Sequence, residues 1–143
     1  MTDIWKVREE IVKFSHKVQQ YGFVSATDGN LSVRLDRERI LITPSGIPKG
    51  DMTLEAPVIL DMEGNKLEGE GKPSSEGMMH LEVYRLREDI NAVIHAHPPK
   101  CIAFTVAGIP LDTCLLPEVV VTLGSIPTSP DRKSTRLNSS HYS

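Results

Sequence analysis

Two histidines two residues apart, His95 and His97, close the run Asn91-Ala92-Val93-Ile94-His95-Ala96-His97. If that run is a strand, alternation sends both imidazoles off one face and Ala96 off the other. Neutral imidazole suits Zn²⁺ and other divalent first-row metals, and a catalytic zinc uses about three protein ligands with one position left open. His-x-His supplies two. The same pair is also satisfied by one solvent-facing histidine and one hydrogen-bonded in a core.

Upstream, Pro73-Ser74-Ser75 marks a helix start, with Glu76 in the first turn. A carboxylate there is favoured by the helix dipole by about 0.3–1 kcal/mol, so Glu76 reads either as an ordinary first-turn acid or, given neighbours, as a proton-exchanging group. Ser74 and Ser75 place two hydroxyls beside unpaired N–H groups, an arrangement that either caps the helix or accepts a phosphate. Gly29-Asn30 and Ser45-Gly46 repeat the theme: a small hydrogen-bonding side chain stands beside a residue that lets backbone approach a ligand. Each is also an ordinary turn. No G-x-x-x-x-G-K-[ST] occurs, so a phosphate would be held without that lysine loop. Lys72 could add charge or stand solvated.

Elements must bring these groups together. Ile4, Val7, Ile11, Phe14, Val18 and Tyr21 recur at spacings of three and four, predicting an amphipathic helix capped by Thr2 or Asp3 and ended at Gly22. The turn formers Ser25 to Asn30 feed a half-buried strand, Leu31 to Leu35, whose hairpin partner is Arg39 to Thr43. Pro44 to Pro48 breaks that ladder. Val58 to Asp61 and a polar stretch around Lys66 to Glu68 read as a strand pair or as loop. Ser75 to Leu86 is compatible with a helix through Met78, Met79, Leu81, Val83, Tyr84 and Leu86. Asn91 to His97 is the strand already considered, stopped by Pro98-Pro99. Lys100 to Val106 reads as a helix, followed by a turn at Gly108-Ile109-Pro110, and the apolar run Leu115 to Val121 is of undecided type. Helices mixed with short hairpin-connected strands give an α/β layered domain with a largely antiparallel sheet. The chain does not read as a dinucleotide-binding fold, since no G-x-G-x-x-G follows a first strand.

The chain of 143 residues suits one domain with a real core. With 16 Lys and Arg against 19 Asp and Glu, it offers no basic field for nucleic acid or an anionic membrane. Its apolar runs fall far below the roughly 20 residues of a span, and Met1 to Glu10 is charged rather than a signal peptide. A soluble, cytoplasmic protein is expected. Cys101 and Cys114 lack metal-type spacing and point to paired reduced or buried thiols rather than a disulfide framework. From Asp131 the run DRKSTRLNSSH resembles a translated sequencing-library adapter. Residues 1–130 are therefore taken as the native domain and 131–143 as a read-through tail, so His141 and Tyr142 carry no functional weight.

Four motifs in order, GNLS at Gly29 to Ser32, TPSG at Thr43 to Gly46, PSSE at Pro73 to Glu76 and HAH at His95 to His97, give the chain a specific likeness. It resembles the class II aldolase/adducin family, most closely the fuculose-phosphate aldolase type, over most of Met1 to Pro130. The resemblance implies a layered domain with a largely antiparallel central sheet flanked by helices. It implies that His95 and His97 are two of three metal-binding histidines, and that Glu76 joins them as a metal-site residue, approaching the metal and exchanging protons with substrate. It further implies that Gly29, Asn30, Ser45, Gly46, Ser74 and Ser75 hold the phosphate. The third histidine is expected beyond Pro130, with a C-terminal helical part, so this fragment is expected to bind metal weakly and show little activity. The implied reaction is Zn²⁺-dependent cleavage of a short ketose phosphate to dihydroxyacetone phosphate and an aldehyde, by a homotetramer. A sugar-phosphate epimerase or dehydratase on the same scaffold, or a non-catalytic adducin-like interaction module, is the alternative. Glutamate at position 76 leans toward aldolase or dehydratase, and both histidines with Glu76 speak against the module.

Overall fold

A computed structural model of the chain describes residues 3–111 and 126–127, which fall into two compact units, Met1–Pro99 and Lys100–Ser143. In the first unit, helix α1 (Ile4–Gln20) starts at Asp3, whose carboxylate accepts from the backbone N–H groups of Trp5 and Lys6. Gly22, in the left-handed region at φ +70°, follows its end. Strands β1 (Asn30–Arg34), β2 (Arg39–Ile42), β3 (Val58–Asp61), β4 (Lys66–Glu68) and β5 (Ala92–His95) form one sheet in the order β4-β3-β2-β1-β5, with every pairing antiparallel. Helix α2 (Gly77–Leu86) lies between β4 and β5 in the chain.

Both faces of the sheet are covered. Leu31, Leu41 and Ile59 pack with Ile11 and Val18 of α1, whereas Ile40, Ile42, Val58 and Leu60 pack with Leu81 and Tyr84 of α2. That is why β2 and β3 read as unbroken apolar runs: alternate residues serve opposite cores. Burying each large apolar side chain contributes roughly 1.5–3 kcal/mol, so the two cores fix the positions of α1 and α2 against the strands.

The layered α/β class and the antiparallel sheet stand as the sequence indicated, and several local readings change. The α1 face buries Arg8, Ile11, Ser15 and Val18, while Phe14 and Tyr21 of the expected stripe are exposed. Arg8 is tolerated inside because Nη1 donates to the carbonyls of Leu54 and Pro57 at 3.0 and 2.8 Å and Nη2 to Glu68 at 3.1 Å. Strand β1 is not half-solvated: Ser32 and Arg34, the polar half of its alternation, face α2 and bond to it. Helix α2 begins at Gly77 rather than Ser75 and buries Gly77, His80, Leu81 and Tyr84, leaving Met78, Met79 and Leu86 exposed. Strand β5 ends at His95, so His97 is outside the ladder.

Helix α3 (Pro99–Val106) begins at the last residue of the first unit; in the second unit it leads to a turn with Gly108 at φ +67°, and Leu111 pairs with Ile126 in an isolated bridge. Cys101 is a free, exposed thiol, so of the two readings, reduced or buried, burial does not hold for that residue. Cys114 and the run Leu115 to Val121 lie outside the described residues.

Candidate active site

The register of β1 against β5 builds the site. Asn30 pairs with His95 and Ser32 with Val93, so Asn30, Ser32, Arg34, Val93 and His95 share the face toward α2. Glu76, the residue that caps α2, arrives on the same face. Its Oε2 accepts from Asn30 Nδ2 at 2.6 Å and from His95 Nδ1 at 2.7 Å. His95 and Glu76 are about a quarter exposed, with side-chain values of 24 % and 27 %, so the pair is reachable from solvent yet held by packing.

His97 keeps company with His95 by a different route from the one expected. Its backbone N–H donates to Phe23 O at 2.7 Å, which fixes the chain just past β5. The two imidazole rings stand edge to face with centroids 4.9 Å apart. His97 Nδ1 lies 3.9 Å from Asp28 Oδ2 in the turn before β1.

Gly29 allows this close approach. It sits at φ +71°, and a Cβ there would come within 2.5 Å of Val24 Cγ1 and 2.8 Å of His95 O. Asn30 is buried and engaged at both ends of its amide: beyond the bond to Glu76, Oδ1 accepts from His80 Nε2.

The remaining small-residue loops are stitched together. Pro44 bridges Pro73, Ser45 N–H donates to Lys72 O at 2.9 Å, and Ser45 Oγ lies 3.2 Å from the carbonyls of Lys72 and Pro73. Gly46 follows at φ +82° with open space where a Cβ would stand. Ser74 Oγ accepts from Glu76 N–H at 3.3 Å, which leaves its hydroxyl hydrogen available to a ligand, and Ser75 is exposed. Lys49, buried, places Nζ 3.4 Å from both Thr27 O and Ile47 O, and so lies between the loop before Gly29 and the loop after Gly46. Burial pushes its pKa down, partly offset by the charge of Asp28.

His80 escaped the sequence reading. It is fully buried on α2, Nδ1 lies 2.6 Å from Ser32 Oγ, and Ser32 Oγ lies 2.8 Å from Tyr84 Oη. Desolvation, then electrostatic interaction with the neighbouring His95, hold its pKa down to about 4, with Glu76 opposing. The signal was available in the spacing: residue 80 lies one before Leu81 and four before Tyr84, on the buried stripe of α2.

Imidazole donors suit a divalent metal here. With Nδ1–H of His95 given to the Glu76 carboxylate, its Nε2 lone pair is the one left to ligate. No group of three His, Cys, Asp or Glu side chains among the described residues is arranged to hold a metal ion. A concavity of about 930 Å³ lined by Arg34, Asp36, Arg37, Tyr84 and Arg85 opens at the other end of β1, and Asn30, Glu76, His80, His95 and His97 do not line it.

Fold, register and site define a domain of the class II aldolase type, and the family model described as the class II aldolase and adducin N-terminal domain matches residues 9–141. The chain belongs to that family. Over 96 residues it is 47 % identical to 5-deoxy-D-ribulose 1-phosphate aldolase of Bacillus thuringiensis, covering 66 % of this chain and 45 % of that protein. Over 97 residues it is 40 % identical to 3-oxo-tetronate 4-phosphate decarboxylase of Haemophilus influenzae, covering 68 % and 45 %. An L-fuculose 1-phosphate aldolase structure superposes with a TM-score of 0.69 at 39 % identity, covering 76 % of this chain and 51 % of that one. The chain thus spans about half the length of the curated relatives it matches.

Proposed function

We propose that the protein is a metal-dependent aldolase that reversibly cleaves a short ketose phosphate to dihydroxyacetone phosphate and an aldehyde. The observation that carries the reading is the convergence of Glu76, Asn30 and His95 on one sheet face, with Ser74 joined to Glu76 through its backbone. His95 and His97 would hold the metal, with Glu76 beside them, and zinc is the ion this donor set suits best. When bound, that ion supplies Lewis-acid polarisation of the substrate carbonyl.

The chain's own residues do the rest. Glu76 exchanges a proton with the carbon next to the carbonyl: in cleavage it protonates the enediolate left when the C–C bond breaks, and in synthesis it removes that proton. Asn30 orients the carboxylate. Gly29, Asn30, Ser45, Gly46, Ser74 and Ser75 form the phosphate cradle, with hydroxyls of Ser74 and Ser75 as donors and buried Lys49 adding positive potential beneath the loops. No lysine adduct is required of this chain's own residues, since a metal held by His95 and His97 would supply the electron sink.

A decarboxylase is the second reading, favoured by the 40 % identity to the Haemophilus influenzae protein. Loss of carbon dioxide from a 3-oxo acid leaves the same kind of carbanion that aldol cleavage leaves. The proposal extends to a cytoplasmic homotetramer acting on a small-molecule substrate, without nucleic acid or membrane as partner. A net charge of −3 offers no basic field for nucleic acid or an anionic membrane, and no helix among the described residues is long and apolar enough to cross a membrane. Residues 1–130 as the native domain, with 131–143 as a non-native tail, belong to the same proposal. A panel of ketose 1-phosphates and 3-oxo-acid phosphates given to the full-length gene product tests the reading. Dihydroxyacetone phosphate release from a ketose 1-phosphate supports it, and carbon dioxide release from the acids alone would favour the decarboxylase.

A further inference from the structure

The hydrogen bonds around His80 have a single consistent direction. Glu76 Oε2 faces Asn30 Nδ2, so the amide nitrogen of Asn30 points at the carboxylate and its carbonyl oxygen at His80. A carbonyl only accepts, so His80 Nε2 must carry a proton. Nδ1, left with a lone pair, then accepts from Ser32 Oγ–H at 2.6 Å. With its one hydrogen spent, Ser32 Oγ accepts from Tyr84 Oη–H at 2.8 Å. Tyr84 is itself anchored, since its carbonyl accepts from Arg34 Nη2 at 2.7 Å and the Arg34 guanidinium stands 4.8 Å from its ring centre.

We propose that His80 is a positioning residue for Glu76: held as the Nε2–H tautomer, it dictates which end of the Asn30 amide meets the carboxylate. The opposite tautomer would set a ring lone pair against the Asn30 carbonyl. Rotating the amide to relieve that contact would turn the carbonyl onto the Glu76 carboxylate. Either way two acceptors face each other in a buried place, where an unmade hydrogen bond is costly. Tyr84, Ser32, His80 and Asn30 therefore transmit the order of the α2 core to a carboxylate at its N-terminus. The significance for catalysis rests on the aldolase reading; the ring state itself does not.

Nitrogen-15 NMR of the ring-labelled 143-residue chain at neutral pH tests the claim without any substitution. The expected spectrum shows His80 protonated at Nε2 and unprotonated at Nδ1; a proton on Nδ1, alone or with Nε2, would overturn it. In His80→Met the Asn30 side-chain amide resonances should move from their wild-type positions. In His80→Gln, whose amide can donate to Asn30, they should return. Unmoved Asn30 resonances in folded His80→Met would also overturn the proposal. Both readouts are spectroscopic, so they decide the role of His80 toward Asn30 even if the aldolase reading fails its own substrate test.

Discussion

Asn30 Nδ2 donates to Glu76 Oε2 over 2.6 Å, joining the first residue of β1 to the residue that caps α2. The bond spans 46 residues of sequence and sets a carboxylate against the β5 histidine. Asn30→Ala removes the donor to Glu76 and strands the buried Nε2–H of His80. One orphaned buried group costs about 1–3 kcal/mol, and urea denaturation should show a loss of that size.

Acid should weaken the fold through His80. Its pKa is about 4 when folded against an ordinary value of 6.5, so between those limits the unfolded chain takes up a proton that the folded chain refuses. Stability is therefore fully present above about pH 6.5 and falls as pH drops toward 4, by at most an amount on the order of 3 kcal/mol. Asp89, held at about 2 by its hydrogen bond to Arg87, titrates below that window. Denaturation midpoints measured across pH 4–7 should decline on the acid side, and His80→Gln should flatten that decline.

Two glycines with similar positive φ, Gly29 and Gly46, should respond differently to alanine. At Gly46 a Cβ would meet open space, so only the left-handed conformation is penalised, by roughly 1–2 kcal/mol. At Gly29 the same penalty is joined by contacts of 2.5 and 2.8 Å to Val24 and His95. Overpacking adds about 1–3 kcal/mol and pushes β5 away from β1. Gly29→Ala should therefore lose more stability than Gly46→Ala in denaturant titrations, and should shift the His95 ring resonances.

Much of this is legible in the sequence. The alternation in Leu31 to Leu35, the turn chemistry at Pro44 to Pro48 and the spacing in α1 located the elements, and four ordered motifs located the residues to watch. Other features depend on what lies across space. Nothing in the β1 sequence says that Ser32 and Arg34 face a helix instead of water, because alternation reports that faces differ and not what covers them. His80 was hidden for the related reason that a polar residue on a helix is read as solvent-facing until Leu81 and Tyr84 are seen to share its stripe. Arg8, too, is legible as a core residue only once the carbonyls of Leu54 and Pro57 are brought to it.

Metal binding by the 143-residue chain should be weak and should depend on both imidazoles. Zinc titration followed by calorimetry is expected to give a low affinity that falls further in His95→Gln and in His97→Gln. Tight, stoichiometric zinc binding that survives both substitutions would place the metal elsewhere.

The proton role assigned to Glu76 has the most direct test. Dihydroxyacetone phosphate incubated in D₂O with the metal-loaded full-length gene product should exchange one carbon-bound hydrogen, visible by proton NMR without any aldehyde present. Glu76→Gln should slow that exchange by roughly 10²–10⁴-fold, the usual worth of a positioned general base. Exchange at the wild-type rate in Glu76→Gln, or none in the wild type, would contradict the account.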